Sequence, residues 1–240
     1  MVFIGTSGWS YPHWDKVFYK SGIRSWERLP YYVQRFDTSE LNSSFYRWPT
    51  NDHFKKWNQV LPQGFLLSVK APKALTHIKR LYQPERWIAK ISYGWHELRD
   101  RRAVLLVQLS PNFPLDYPRL AYFLAQLPVW MRIAVEFRHP SWHCQEIFDL
   151  LKHHGAAYCV MSGAGLPCHL IATASFVYVR MHGPDDRHLY SGSYTNDHLY
   201  WWRDRIREWE QQGKDVYVYF NNDGHGYAVQ NAQTLRDLSR

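Results

Sequence analysis

The chain has 240 residues, of which 45% are apolar, so it is long enough for a domain with a sizeable core and too apolar for a disordered protein. Its formal charge of +8, with a pI of about 9.3, favours anionic partners such as phosphates or nucleic acid. No apolar run approaches the ~18 residues of a membrane span and no signal peptide precedes the first apolar segment, so we expect a cytoplasmic protein without a membrane partner.

Apolar, β-rich segments alternate with segments of helical length along the whole chain. The predicted strands lie at 2–7, 36–42, 65–70, 104–109, 132–138, 156–161, 176–182 and 216–221, and the predicted helices lie at 50–61, 84–98, 117–127, 145–153 and 195–212. Such alternation predicts a parallel sheet. Eight strands in a chain of this length favour a closed TIM-type (β/α)₈ barrel over an open doubly wound sheet, and we expect one domain over residues 1–240.

Helix boundaries are clearest near the C-terminal half of the chain. Thr195 is a predicted N-cap, and Gly213 follows the predicted end of the same helix. The connection between the sixth and seventh strands is short and contains Gly163, Gly165 and Pro167. We therefore expect an abbreviated crossover there, without a full helix.

Strand parity predicts which side chains face the barrel axis. In a barrel, alternate residues of a strand face the helices and the axis, and the helix-facing set is apolar. On the fifth strand the apolar residues are Ile133, Val135 and Phe137, which turns Glu136 and Arg138 inward. The same parity on the other strands yields a polar set at their carboxyl ends: Glu40, Asn42, Lys70, Gln108, Glu136, Arg138, Arg180, His182 and Asn221. Active sites of (β/α)₈ barrels lie at this end.

The charges of this set predict an anion-binding site. Two carboxylates, Glu40 and Glu136, oppose three fixed cations, Lys70, Arg138 and Arg180, so the formal sum is +1 with the histidine neutral. An anionic small molecule such as a phosphate or a carboxylate would complete the balance. The alternative is a purely structural network, in which Glu40–Lys70 or Glu136–Arg138 are salt bridges that hold the barrel mouth.

The same residues suggest acid/base chemistry. Glu136 would accept a proton, His182 would donate one, and the cations would hold the anionic part of the substrate. Glu40 and Glu136 also form a candidate carboxylate pair of the glycosidase type, but cations nearby keep both ionised and argue against a protonated general acid. The predicted catalytic residues are Glu40, Lys70, Glu136 and His182.

Loop residues at the predicted site complete the ligand-binding set. Aromatic side chains there could stack on sugars or unpaired bases. The predicted ligand-binding residues are Trp9, Tyr11, Asn42, Tyr46, Gln108, Arg138, Arg180, Asn221, Asn222 and Asp223.

No metal or other cofactor is predicted. One divalent ion held by Glu136, His182 and Asp223 stays open as an alternative, whereas His139 and His143 lack the helix that an i,i+4 pair needs. The cysteines are three in number and lack CxxC spacing, which argues against paired disulfides and against a zinc ribbon.

Several strings in this order resemble one known family. They are GTSGWSY from Gly5, ELNSSFY from Glu40, SVKAPK from Ser68, EFRHPSW from Glu136, RMHG from Arg180, YSGSY from Tyr190 and YFNND from Tyr219. Together they resemble the YecE-like family, also called the domain of unknown function 72. The resemblance implies a TIM-barrel-like fold and no particular activity. Similarity of that fold to sugar isomerases and endonuclease IV-like barrels suggests nucleic-acid binding or metal-dependent chemistry by analogy alone.

The function that we predict is therefore acid/base catalysis on a phosphorylated or carboxylated compound bound at the strand ends. The alternative is a nucleic-acid-binding protein of endonuclease IV-like fold, without phosphodiester chemistry or with a metal-dependent form of it. The sequence leaves the substrate, the reaction and the oligomeric state open.

Overall fold

Eight parallel strands of mostly buried residues organise the computed structural model, which describes residues 1–239. The strands are β1 (Val2–Thr6), β2 (Thr38–Leu41), β3 (Leu66–Lys70), β4 (Arg102–Gln108), β5 (Ile133–Glu136), β6 (Ala157–Ser162), β7 (Phe176–Met181) and β8 (Asp215–Phe220). Their order in the sheet is β1-β8-β7-β6-β5-β4-β3-β2, and a parallel bridge joins Ser7 to Glu40. Strands that follow one another in the sequence are thus neighbours in the sheet, which confirms the predicted (β/α)₈ fold class.

Helices follow most of these strands. In the described part of the chain they are α1 (Ser25–Tyr32), α2 (Asn51–Val60), α3 (Glu85–Trp95), α4 (Tyr117–Ala125), α5 (Gln145–His153), α6 (Asn196–Gln211) and α7 (Tyr227–Leu238). The five predicted helices are present with ends that differ by at most three residues. The largest difference is at α3, which ends at Trp95 because a 3₁₀ segment with Arg99 at φ 52° follows it. The helices α1 and α7 were not predicted.

Two local predictions are confirmed. The Thr195 hydroxyl accepts a hydrogen bond from the backbone N–H of His198 at 3.3 Å, and Gly213 has φ +76° just after α6. No helix interrupts the chain from 163 to 175 in the part that the structure describes. Instead, the Thr173 hydroxyl donates to the carbonyl of Ala156 and accepts from the N–H of Tyr158, both at 2.7 Å, which secures the abbreviated crossover.

The described residues form two compact units. Unit 1 contains Met1–Glu40, Val160–Ile171 and the chain from Ser175 onward, and unit 2 contains Leu41–Cys159 and Ala172–Ala174. The expectation of one domain over residues 1–240 stays a prediction.

Aromatic side chains fill the core of each unit. In unit 1 the rings of Tyr32 and Phe36 stack at 4.8 Å, and Tyr178 packs against Tyr219 at 5.2 Å. In unit 2 the core includes Trp142, whose ring stacks on the ring of Phe137, the residue after β5, at 5.1 Å. Between residues 1 and 239, no helix combines the length and the apolar character that crossing a bilayer requires.

Candidate functional site

Glu136, the last residue of β5, is the centre of a polar cluster in unit 2. The register of β4 and β5 places Gln108 beside Glu136, and the Gln108 amide donates to the carboxylate at 2.6 Å. Arg138 Nε donates to the same carboxylate oxygen, and the Cys159 thiol lies 3.8 Å from the other oxygen. Glu136 is 0% exposed, and the Arg138 guanidinium balances its charge in this buried position.

Lys70, the last residue of β3, brings a second cation into unit 2. Its Nζ lies 4.3 Å from the centroid of the Phe45 ring, and that ring meets the edge of His77 at 4.9 Å. The Ser44 hydroxyl donates to the backbone carbonyl of Lys70 at 2.7 Å and fixes the loop after β2 to the end of β3. Lys70 is 8% exposed, so its ammonium lies at the edge of the buried region.

His77 reports the electrostatic character of this part of unit 2. Burial first, and then the charges of Lys70, Lys73 and Arg138, lower the pKa of His77 from 6.5 to about 4, against the opposing effect of Glu136. His77 is therefore neutral at pH 7, and the three cations add a smaller effect in the same direction as burial. His77 was not among the predicted site residues; the sequence signal was its position in the turn that follows the third predicted strand.

Glu40 is the centre of the corresponding cluster in unit 1. Its carboxylate accepts hydrogen bonds from the Ser7 hydroxyl, from the Tyr178 hydroxyl at 2.7 Å and from Arg180 Nη2 at 2.8 Å. Glu40 and Arg180 are both 0% exposed. Tyr178 and Arg180 alternate along β7 and both face Glu40, as strand parity requires, and the bond of Thr38 on β2 to Tyr219 on β8 at 2.6 Å agrees with the same parity.

The loops after β1 and β8 add Tyr11 and Asp223 to unit 1. The Tyr11 hydroxyl donates to the backbone carbonyl of Ser7 at 2.6 Å, and burial raises the pKa of Tyr11, so it stays protonated. His13 Nε2 lies 3.7 Å from the carboxylate of Asp223, whose pKa is raised by burial. Trp9 belongs to the same unit, where its carbonyl accepts from the Tyr19 hydroxyl.

His182 and the asparagines after β8 form a buried polar group in unit 1. Asn221 Nδ2 lies 3.3 Å from His182 Nδ1, so an amide donor faces that ring nitrogen. Asn222 Nδ2 donates to the carbonyl of Gly192 at 2.9 Å and to Asn231 Oδ1 at 3.0 Å. Asn222 therefore fixes the chain near Gly192, a structural role that the sequence did not predict.

The structure divides the predicted site residues between the two units. Unit 2 contains Asn42, Tyr46, Lys70, Gln108, Glu136 and Arg138, and unit 1 contains Trp9, Tyr11, Glu40, Arg180, His182, Asn221, Asn222 and Asp223. Of the two salt bridges considered from the sequence, Glu136–Arg138 is present, and Glu40 pairs with Arg180. Tyr46 is 82% exposed, and its contact with a ligand stays a prediction.

Between residues 1 and 239, no group of three or more His, Cys, Asp or Glu side chains is placed so that it could hold a metal ion. The alternative of one divalent ion at Glu136, His182 and Asp223 combines residues of both units and stays a prediction.

Comparison with known proteins assigns a family to this fold and site. The model of the family described as protein of unknown function DUF72 matches residues 3–240. The chain belongs to the DUF72 family. This confirms the resemblance drawn from the sequence strings, since YecE proteins are among the relatives of the DUF72 chain.

Two curated relatives match most of the DUF72 chain. UPF0759 protein YunF of Bacillus subtilis is 29% identical, with 99% of this chain and 94% of that protein covered. UPF0759 protein YecE of Escherichia coli O157:H7 is 24% identical, with 88% of this chain and 83% of that protein covered.

Solved structures give the same result for the fold. A DUF72 family protein of Thermotoga maritima has a TM-score of 0.89 at 28% identity, with 99% of this chain and 98% of that chain covered. A DUF72 family protein of Enterococcus faecalis has a TM-score of 0.84 at 18% identity, with 100% and 95% covered, and supports the fold alone.

Proposed function

We propose that the DUF72 chain binds a small anion, a phosphate or a carboxylate, at Lys70 and Arg138 in unit 2. One observation supports this most directly. Lys70 and Arg138 contribute two positive charges and Glu136 one negative charge, which leaves a formal sum of +1 beside His77, whose pKa is lowered by burial first and then by the cations. An anion would offset the excess positive charge in a poorly hydrated place, where charge-assisted hydrogen bonds are strong.

The exposure of the side chains agrees with this role. The Arg138 side chain is 10% exposed and Lys70 is 8% exposed, so both cations reach the surface, whereas Glu136 does not. A guanidinium has five N–H donors, so it can serve the Glu136 carboxylate and a bound anion together. Gln108 and Arg138 hold Glu136 in one position, as an ordered ligand-binding group requires.

The same proposal includes catalysis. Glu136 would accept a proton from the bound compound, and Lys70 and Arg138 would stabilise the negative charge that develops. Two further roles stay predictions from the sequence: Glu40 as a second catalytic carboxylate and His182 as the proton donor.

Calorimetric titration with inorganic phosphate and with acetate tests the binding site. We expect Arg138→Gln and Lys70→Met each to weaken phosphate binding about tenfold to a hundredfold, the range for one charge-assisted bond. Lys56→Met is the control, because Lys56 is an exposed lysine of the same unit. Failure of phosphate and of acetate to saturate the protein, or equal losses in all three variants, would contradict the proposal.

His77 offers a second readout that does not depend on calorimetry. A bound anion offsets the charges of Lys70, Lys73 and Arg138, so the pKa of His77 is expected to rise from about 4 toward 6.5. Histidine ring signals in an NMR pH titration measure this directly. A pKa that stays the same at saturating phosphate would place the anion elsewhere.

A second candidate function, binding of single-stranded nucleic acid, is favoured by a cleft in unit 2. The cleft has a volume of about 680 Å³ and is lined by Lys79, Tyr82, Gln83, Glu85, Arg86, Trp87 and Lys90. Lys90 Nζ lies 5.4 Å from the Trp87 ring, and Tyr82 is exposed. Cations interleaved with aromatic rings suit a strand whose bases stack and whose phosphates are neutralised.

Binding of a labelled oligonucleotide at two salt concentrations distinguishes the candidates. Nucleic-acid binding at the cleft predicts a steep loss of affinity between about 50 and 200 mM salt, and a further loss in Arg86→Ala and Lys90→Ala. Loss in Arg138→Gln alone would instead assign the oligonucleotide phosphate to the anion site.

A further inference from the structure

Unit 1 contains a cavity of about 250 Å³ that shares no residue with the anion site proposed above. It lies where β6 and β7 end and α6 begins. The residues that define its character are Asp185, Asp186, Tyr194, His198, Trp201 and Trp202. This volume lies just below the usual range for pockets that bind small molecules, so the cavity suits a compact ligand.

Two tryptophans form adjoining walls of this cavity. The rings of Trp201 and Trp202 lie 5.0 Å apart and meet at 90°, so their faces enclose a corner. Trp202 is buried and Trp201 is 44% exposed. Arg205 Cζ lies 5.6 Å from the centroid of the Trp201 ring, a cation–π contact within the protein itself.

Hydrogen bonds hold the opposite side of the cavity in place. The Tyr194 hydroxyl accepts from the backbone N–H of Gly183 and donates to the Ser162 hydroxyl, both at 3.0 Å. Asn231 binds the backbone of Tyr194 twice, accepting from its N–H at 3.1 Å and donating to its carbonyl at 3.2 Å. The cavity is therefore built before any ligand arrives, which lowers the entropic cost of binding.

The charge of the lining is opposite to that of the chain. Asp185 and Asp186 line the cavity, and in the described residues the lining includes no lysine or arginine, although the chain carries a net charge of +8. Asp185 accepts from the N–H groups of Arg187 and His188 at 2.8 and 2.9 Å, which fixes its carboxylate and lowers its pKa. Asp185 is thus held as a negative charge in the lining.

We propose that this cavity binds a small organic cation of the alkylammonium class. The ammonium group would lie between the carboxylates of Asp185 and Asp186, and the alkyl part would contact the tryptophan corner. Aromatic faces beside carboxylates are the arrangement by which proteins recognise such cations. A sugar would use the same aromatic walls without needing the two negative charges, and it is therefore an outcome that the test must separate.

Calorimetric titration with n-butylammonium and with n-butanol, at constant ionic strength, separates charge recognition from burial of an alkyl chain. We expect the ammonium to bind and the alcohol, which has the same shape and no charge, to bind about tenfold more weakly or not at all. Equal binding of the two, absence of butylammonium binding, or tighter binding of a monosaccharide such as glucose would each overturn the proposal.

Variants of the lining locate the site. Trp201→Leu should weaken butylammonium binding about tenfold and Trp201→Phe should weaken it less, because the indole is the strongest of the aromatic rings for a cation. Tyr200→Leu is the matched control, since Tyr200 lies on the same helix, is 42% exposed and does not line the cavity.

The carboxylates are tested in the same way. Asp186→Asn should weaken butylammonium binding by a similar factor, while Asp204→Asn, outside the cavity on α6, should leave it unchanged. Unchanged melting of the unliganded variants shows that the fold is intact. Butylammonium binding that survives Asp186→Asn and Asp185→Asn would overturn the proposal.

Discussion

Replacing Glu40 with glutamine tests whether the ion pair inside unit 1 stabilises the protein. The change keeps the size of the side chain and removes its charge. Glu40 accepts from Ser7, Tyr178 and Arg180, and neither Glu40 nor Arg180 is exposed to solvent. In Glu40→Gln the Arg180 guanidinium would stay buried without a carboxylate. The new amide NH₂ is itself a donor and would face one of the donors that now bond to Glu40.

The expected loss is large because the site is dry. Removing one partner of a buried ion pair costs about 3–5 kcal/mol, most of it from the charge that is left behind. For a chain of this size, 1 kcal/mol corresponds to about 2–4 °C in melting temperature, so we expect Glu40→Gln to melt about 6–20 °C below the parent protein.

Thermal melting and urea unfolding measure this loss, and two further variants make the result specific. Glu208→Gln removes a carboxylate of a surface pair with Arg205 on α6, and should cost about 0–1 kcal/mol. Glu40→Gln combined with Arg180→Met removes the buried charge as well and should recover part of the loss. Melting of Glu40→Gln that equals that of Glu208→Gln would refute the reasoning, as would a double variant that is less stable than Glu40→Gln.

Three further predictions concern pH, a loop and close packing. The pKa of His77 is lowered from 6.5 to about 4, so between these pH values the unfolded chain binds more protons than the folded protein. The free energy of unfolding should therefore fall as the pH drops from 6.5 to about 4, and it should fall less in His77→Gln. Urea titrations at several pH values measure this. Equal slopes for the two proteins would contradict this. Asn231→Ala removes two bonds to the backbone of Tyr194 and should cost about 2–3 kcal/mol, with faster hydrogen exchange at Tyr194; unchanged exchange would show that the loop is held by other contacts. Gly5→Ala would place a methyl group against a backbone carbonyl of the adjacent strand and should cost about 1–3 kcal/mol. Gly224→Ala meets open space and should change stability by less than about 0.5 kcal/mol. Equal melting temperatures of the two variants would show that the strands move apart at little cost.

The strand pattern of the chain is readable from the sequence because a barrel imposes one rule on every strand. Helix-facing positions must be apolar, so each inward residue is identified by its neighbours. Helices α1 and α7 escaped prediction for a local reason. Arg24 and Gly226 occupy their N-cap positions in place of the usual Ser, Thr, Asp or Asn, and Pro30 lies inside α1.

Strand parity predicts which side chains can meet, but it predicts only some of the pairs that they form. Parity brings Gln108 beside Glu136 through the register of two adjacent strands, and the structure has that bond. The partner of Glu40 depends on rotamers of long side chains, which no periodicity specifies, and it is Arg180. His77 was missed because it lies in an irregular turn, Ala74–Ile78, where strand parity no longer applies.

The two arginine–carboxylate pairs have different surroundings, and this difference decides where an anion can bind. The charges of Glu40 and Arg180 cancel, and both residues lie away from solvent, so no excess charge there would attract a ligand. Arg138 also balances Glu136, but Lys70 adds a positive charge at the edge of the same unit, and that charge adds to the effect of burial in lowering the pKa of His77. Because desolvated charge attracts its opposite, this difference supports our proposal of an anion at Lys70 and Arg138, whereas Arg180 as a ligand-binding residue stays a prediction.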